Sequence, residues 1–119
     1  MEGHSIEIKY KIWLEKNGRV LFGHGREELL RAVDECQSLS AAAKKLNMSY
    51  RAAWGRIKAS EDRLGIHLVD RSQGKSMHLT AQAKILLDQF DLLEKETASL
   101  MDKAHQRLAK IIESPSDSP

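Results

Sequence analysis

A chain of 119 residues is enough for one folded domain, which argues against an enzyme with separate cofactor and substrate lobes. With 41% hydrophobic and 30% charged residues, seven glycines and two prolines, it is neither disordered nor collagen-like, and no apolar run approaches the roughly 20 residues that cross a bilayer. The net charge of +2 excludes nothing by its size, but a single cysteine, Cys36, excludes an internal disulfide, a cysteine-based metal finger and a dithiol pair. Met1-Glu2-Gly3-His4 lacks the basic-then-apolar opening of a signal peptide, so the expected location is cytoplasmic, with no membrane partner.

In chain order, Ile6, Ile8, Tyr10, Ile12 and Leu14 alternate with Glu7, Lys9, Lys11 and Trp13, the period of a half-buried strand. Asn17-Gly18 suits the tight hairpin turn in which both central residues need positive φ, and Val20 and Phe22 continue the alternation, so residues 6–23 are expected to form a two-stranded hairpin. From there Leu29, Leu30, Val33 and Cys36 fall at helical spacing, with Glu27 and Glu28 in the first turn, where acids favour the positive helix end. Ser40 is expected to cap a short second helix to Leu46, which Asn47 stops in the left-handed conformation. Ser49 then caps a third, which puts Ala53, Ile57, Ser60 and Leu64 inward and ends at Gly65. Two extended pieces, 66–71 and 76–79, flank Ser72-Gln73-Gly74-Lys75 as a small ribbon or wing. Thr80 caps a last helix to about Glu113, on the order of 50 Å long, too long for a domain of this size to bury. The polar tail 114–119 is expected to be disordered.

Residues Ser38–Ile57 therefore place a helix, a three-residue turn and a second helix in succession. Ala42 and Ala43 allow close approach, and Leu46, Met48, Ala53 and Ile57 form the wedge that sets the crossing angle. This is a helix-turn-helix, whose second helix enters the DNA major groove. Charge agrees with that reading. Cys36–Ser60 carries Lys44, Lys45, Arg51, Arg56 and Lys58 and no acid, and Arg71–Leu87 carries Arg71, Lys75 and Lys84, again with no acid.

Ser38–Ala83 resembles the winged helix-turn-helix of LysR-type regulators, through Leu39-Ser40-Ala41-Ala42-Ala43, Leu64-Gly65-Ile66-His67-Leu68-Val69-Asp70-Arg71 and Leu79-Thr80. It is more closely similar to the DNA-binding domain of molybdate-responsive ModE-type regulators. That likeness adds Ile12-Trp13-Leu14-Glu15-Lys16-Asn17-Gly18 and Ser49-Tyr50-Arg51-Ala52-Ala53-Trp54. The resemblance implies a mainly α fold with a small β component, a single domain over 1–113 divided into an N-terminal hairpin (6–23), a winged helix (26–79) and a dimerisation helix (80–113). Full-length members carry a molybdate-binding domain after that helix. The chain stops there, so the expectation covers the DNA-binding and dimerisation half alone, with no cofactor or metal, and leaves open whether a separate protein supplies a sensor.

Candidate roles follow from position. Tyr50 and Arg51 lie in the first turn of the recognition helix, where Arg can pair bidentately with guanine. Ser38, Ser40 and Ser49 offer hydroxyls to phosphate or cap their own helices. Trp54 stacks on the sugar-phosphate backbone or packs against the wing. Arg56 and Lys58 hold phosphates, and Arg71 and Lys75 let the wing reach the backbone or minor groove. Leu86, Phe90, Leu93, Thr97, Leu100, Ala104, Leu108 and Ile111 step by three and four along the last helix, the seam of a coiled coil, and imply a homodimer on double-stranded DNA.

The five histidines, His4, His24, His67, His78 and His105, are widely spaced, and no phosphate-cradling glycine loop is present, so no enzyme activity is expected. The alternative from another class is a protein-interaction module that uses a winged-helix scaffold without touching DNA. A small-molecule sensor would need a pocket that so small a core leaves little room for.

Overall fold

The computed structural model describes residues 5–71 and 76–113. They fall into two compact units: Ile12–Gln89, and a second made by the segments 5–11 and 90–113.

The first unit opens with β1 (Trp13–Lys16) paired antiparallel to β2 (Arg19–Gly23). Asn17 and Gly18 both have positive φ, 53° and 77°, as the tight turn requires. The register shifts between Leu14 and Glu15, so one extra residue of β2 bulges out. Gly23 is fixed by contact, because a Cβ there would lie 3.1 Å from that of Trp13. The ladder is shorter than the alternation predicts. β2 ends at Gly23, where α1 (His24–Cys36) begins, so residues 6–12 find no second strand opposite them. The helix also starts earlier than its sequence pattern indicates, with Gly25 inside its first turn.

Two short helices follow, α2 (Leu39–Lys45) and α3 (Tyr50–Leu64). Ser38, not Ser40, caps α2, its Oγ accepting from the Ala41 amide at 3.1 Å, and Ser40 is exposed in the first turn. A serine two positions earlier does the same job because the helix starts at Leu39, whose buried side chain anchors that turn. Asn47 takes φ 57° between the helices, and Ser49 caps α3 by accepting from the Ala52 amide at 3.0 Å. Such a cap contributes about 1 kcal/mol. Gly65, at φ 74°, ends α3. Phe22, Leu29, Leu30, Val33, Ile57 and Leu68 form the core, and Leu39, Ala42, Ala43 and Ala53 are small or short enough to bring the helices together over it.

Two acids belong to this interior although the sequence reads as a run of ordinary surface charges. Glu27 is buried and sits 3.3 Å from Arg31 Nη2. Glu61, only 6% exposed, accepts hydrogen bonds from the Leu68 amide at 2.7 Å and the Val69 amide at 3.3 Å. Its carboxylate thus ties α3 to the short ribbon formed by β3 (Val69–Asp70) and β4 (His78–Leu79). The wing tip, Ser72–Lys75, lies outside the described residues. Thr80 caps α4 (Ala81–Ile112): Oγ1 accepts from the Ala83 amide at 3.1 Å and donates to the His67 carbonyl at 2.7 Å.

In the second unit, Ile6 uses its backbone against side chains of α4 in place of a strand partner. Its N–H donates to Glu113 Oε2 at 2.6 Å, and its carbonyl lies 2.8 Å from His105 Nε2. No helix among the described residues is long and apolar enough to cross a membrane.

Candidate nucleic-acid interface

The capped start of α3 puts Tyr50 and Arg51 at its N-terminal turn, both exposed. With Ala53, Ile57, Ser60 and Glu61 turned inward, helical spacing directs Arg51, Gly55 and Lys58 outward along one stripe. A Cβ added at Gly55 would meet nothing within 4 Å, so this stripe is open to a large partner.

Trp54 sits half-buried between two cations. Arg71, at the end of the ribbon, stacks its guanidinium 5.0 Å from the centre of the indole, and the Lys58 ammonium lies 5.6 Å from it. Arg71 also donates to the Tyr50 hydroxyl at 2.7 Å, which leaves the phenolic proton free to donate outward. Lys58 Nζ lies 3.3 Å from Glu61 Oε1. Tyr50, Trp54, Lys58 and Arg71 are therefore one contacting group that spans α3 and the ribbon. Trp54 is the platform on which two positive side chains are held.

The other candidate residues do not join that group. Arg56 lies about 140° around the helix from Arg51, and so flanks the outward stripe. Ser38 and Ser49 each accept one helix-cap hydrogen bond at the hydroxyl oxygen, and Ser40 is an exposed hydroxyl on α2. Lys75 lies outside the described residues. Glu61 is the contributor that the charge pattern does not reveal, since only the fold brings the Leu68 and Val69 amides to it. Arg26 and Arg63 are likewise absent from the sequence-derived set. The seven-residue step from Arg56 to Arg63, two turns on one side of α3, is the signal that marks Arg63.

On α4 the proposed seam divides. Phe90 is 3% exposed, and Thr97 donates to the Leu93 carbonyl at 2.8 Å. Leu86 and Ala104 are half-buried, whereas Leu93, Leu100, Leu108 and Ile111 are exposed, Leu100 by 60% and Ile111 by 75%. Ile85 and Leu92, which the seam omits, are exposed as well. The uncovered apolar surface is thus rotated away from Phe90 toward Ile85 and Leu92.

Residues 27–84 match the family model described as bacterial regulatory helix-turn-helix protein, lysR family. The chain is 34% identical over 74 residues to the transcriptional regulator ModE of Haemophilus influenzae, covering 59% of this chain and 29% of that protein. It is 29% identical over 90 residues to the molybdenum transport protein ModE of Azotobacter vinelandii, 72% of this chain and 33% of that one. The chain thus spans about a third of the length of these relatives. Among solved structures, a CbnR_DBD–DNA complex is similar with a TM-score of 0.56 and 25% identity, over 71% of this chain and 95% of that one. The helix-turn-helix and the ribbon both lie within the matched segment: residues 27–84 are similar to the helix-turn-helix of LysR-type regulators.

Proposed function

We propose that this chain is a sequence-specific DNA-binding transcriptional regulator that acts as a homodimer, with α3 in the major groove. The observation that carries the reading is the arrangement on α3. Arg51 is exposed in the first turn, and beside it Trp54 holds Lys58 and Arg71 at the surface, with the Glu61 carboxylate that pairs with Lys58 buried beneath. Arg51 reads a base edge. Lys58 and Arg71 neutralise phosphates on the flanks, and Tyr50 donates its free hydroxyl proton to one of them. Structural similarity to a DNA-binding domain solved with DNA supports the DNA-binding reading.

Selection of bound sequences from a random duplex pool tests this. The expected result is an enriched two-fold-related sequence with half-sites about one turn, roughly 34 Å, apart. Arg51→Ala should cost about 1–3 kcal/mol of affinity and flatten the preference at one or two positions in each half-site. A pool without enrichment, or an unchanged consensus for Arg51→Ala, would overturn the assignment.

A further inference from the structure

A second basic surface lies away from the Tyr50–Trp54–Arg71 group. At the hairpin turn an open cleft of about 330 Å³ is lined by Lys16, Asn17, Arg19 and Arg63, three cations and no acid. Arg63 is held there by donating to the Val20 carbonyl at 2.6 Å, which pins the end of α3 to β2. The positive surface continues beyond the cleft. Arg26, on α1, is anchored by donating Nε–H to Ser60 Oγ at 2.8 Å. Burial, and then the neighbouring charges of Arg63 and Arg56, push its guanidinium below the usual arginine range. None of Lys16, Arg19, Arg26, Arg56 and Arg63 makes an ion pair among the described residues.

Like charges gathered without acids between them repel, and a fold that holds two of them in place by neutral hydrogen bonds keeps the repulsion in the free protein. An anion of matching extent relieves it. Arg56 and Arg63 are seven residues apart on one side of α3, about 10 Å along its axis, and the hairpin cleft extends the row past the helix end. Measured along the duplex axis, that is about three successive nucleotide steps on one strand, at roughly 3.4 Å of rise each. The row also starts beside the stripe that carries Arg51.

We infer that the row from Arg56 through Arg26 and Arg63 to Lys16 and Arg19 binds the phosphates of the duplex flanking the sequence that α3 reads. The β1–β2 hairpin is then a second DNA-contacting element, and not only a support for the helices. This rests on the DNA-binding reading above, and it adds a contact that carries no base preference.

The test uses the full chain with Lys16→Gln/Arg19→Gln, two exposed positions outside the core, and the charge-preserving Lys16→Arg/Arg19→Lys as control. On a long duplex centred on the selected sequence, the neutralised variant should lower the salt slope by about two for each protomer, about four for the dimer, and bind at least roughly tenfold more weakly at low salt, with an unchanged consensus. The charge-preserving variant should match the parent. Trimming the flanks of the duplex should bring the parent down to the slope of the neutralised variant. A parent slope retained by Lys16→Gln/Arg19→Gln overturns the inference while leaving the α3 reading intact. Inorganic tripolyphosphate that binds saturably and loses that binding in the variant, with the duplex slope unchanged, would also overturn it by assigning the cleft to a small anion. A parent that binds no duplex at all sinks the underlying reading, and this inference with it.

Discussion

Glu61→Ala should lower stability by about 3 kcal/mol, more than a typical surface substitution does. The carboxylate is buried and accepts from two amides, so its removal leaves the Leu68 N–H without a partner in the interior and opens a void next to it. In a chain of this size that is a fall in melting temperature of roughly 10 °C. Glu61→Gln retains an acceptor oxygen and most of the volume, and should recover about half of the loss. The functional consequence is larger than the stability alone implies. Leu68 and Val69 lead into β3, and β3 delivers Arg71 to Trp54 and Tyr50. Loosening that joint releases one side of the cation platform, so the alanine variant should lose duplex affinity at temperatures at which it is still fully folded. Thermal denaturation followed by circular dichroism, with binding measured well below the transition, separates the two effects. A melting point within about 2 °C of the parent would show that Glu61 is not the tie between helix and ribbon.

Leu100→Asp should convert the protein to a monomer under the proposed function. Leu100 is 60% exposed midway along a 32-residue helix, about 48 Å long, with Leu92, Leu93 and Ile111 exposed on the same uncovered side. Apolar side chains in that number stabilise by leaving water, each by about 1.5–3 kcal/mol when fully buried, and a second copy of the same helix is the partner that a two-fold axis supplies. One aspartate from each protomer then meets its symmetry mate across a dry seam, which adds desolvation and repulsion to the lost burial. Sedimentation should give a dimer for the parent and a monomer for Leu100→Asp at micromolar concentration. Loss of the dimer should reduce affinity for a two-half-site duplex by at least about 100-fold, because one half-site must then bind without the other. Phe90→Asp is a poor probe of the same seam, since Phe90 is buried in the single chain and its replacement would damage folding instead. A parent that sediments as a monomer contradicts the dimer.

Local rules carried most of the fold. Asn17-Gly18, Asn47 and Gly65 each sit where a left-handed residue is needed, and Ser49 and Thr80 each accept the amide hydrogen bond of a cap. The helical spacing of Ala53, Ile57 and Ser60 gave the inner face of α3, and with it the outward stripe. Long-range chemistry was not legible in the same way. Glu61 stands in a stretch of charged residues and has the pattern of a solvated surface acid. Only the return of the chain at Leu68 and Val69 supplies the donors that make its burial tolerable. The alternation of Ile6 to Leu14 is real, but a strand needs a partner of equal length, and β2 gives way to α1 too soon to pair residues 6–12. At the candidate site, the residue types on α3 were readable from helical spacing. The stacking of Arg71 on Trp54 was not, because it joins residues seventeen positions apart through the ribbon. The row through Arg26 and Arg63 was hidden for the same reason: it is contributed by α1, α3 and the hairpin together.

If the open, cation-bordered side of α3 meets a nucleic-acid duplex, binding must weaken steeply as salt rises. With Arg56, Lys58 and Arg71 on phosphates in each of two protomers, a plot of log affinity against log salt should be linear with a slope of about −5 or steeper, a fall on the order of 10³-fold between 50 and 200 mM. Affinity that stays constant over that range would contradict the account and return the molecule to the class of protein-interaction modules.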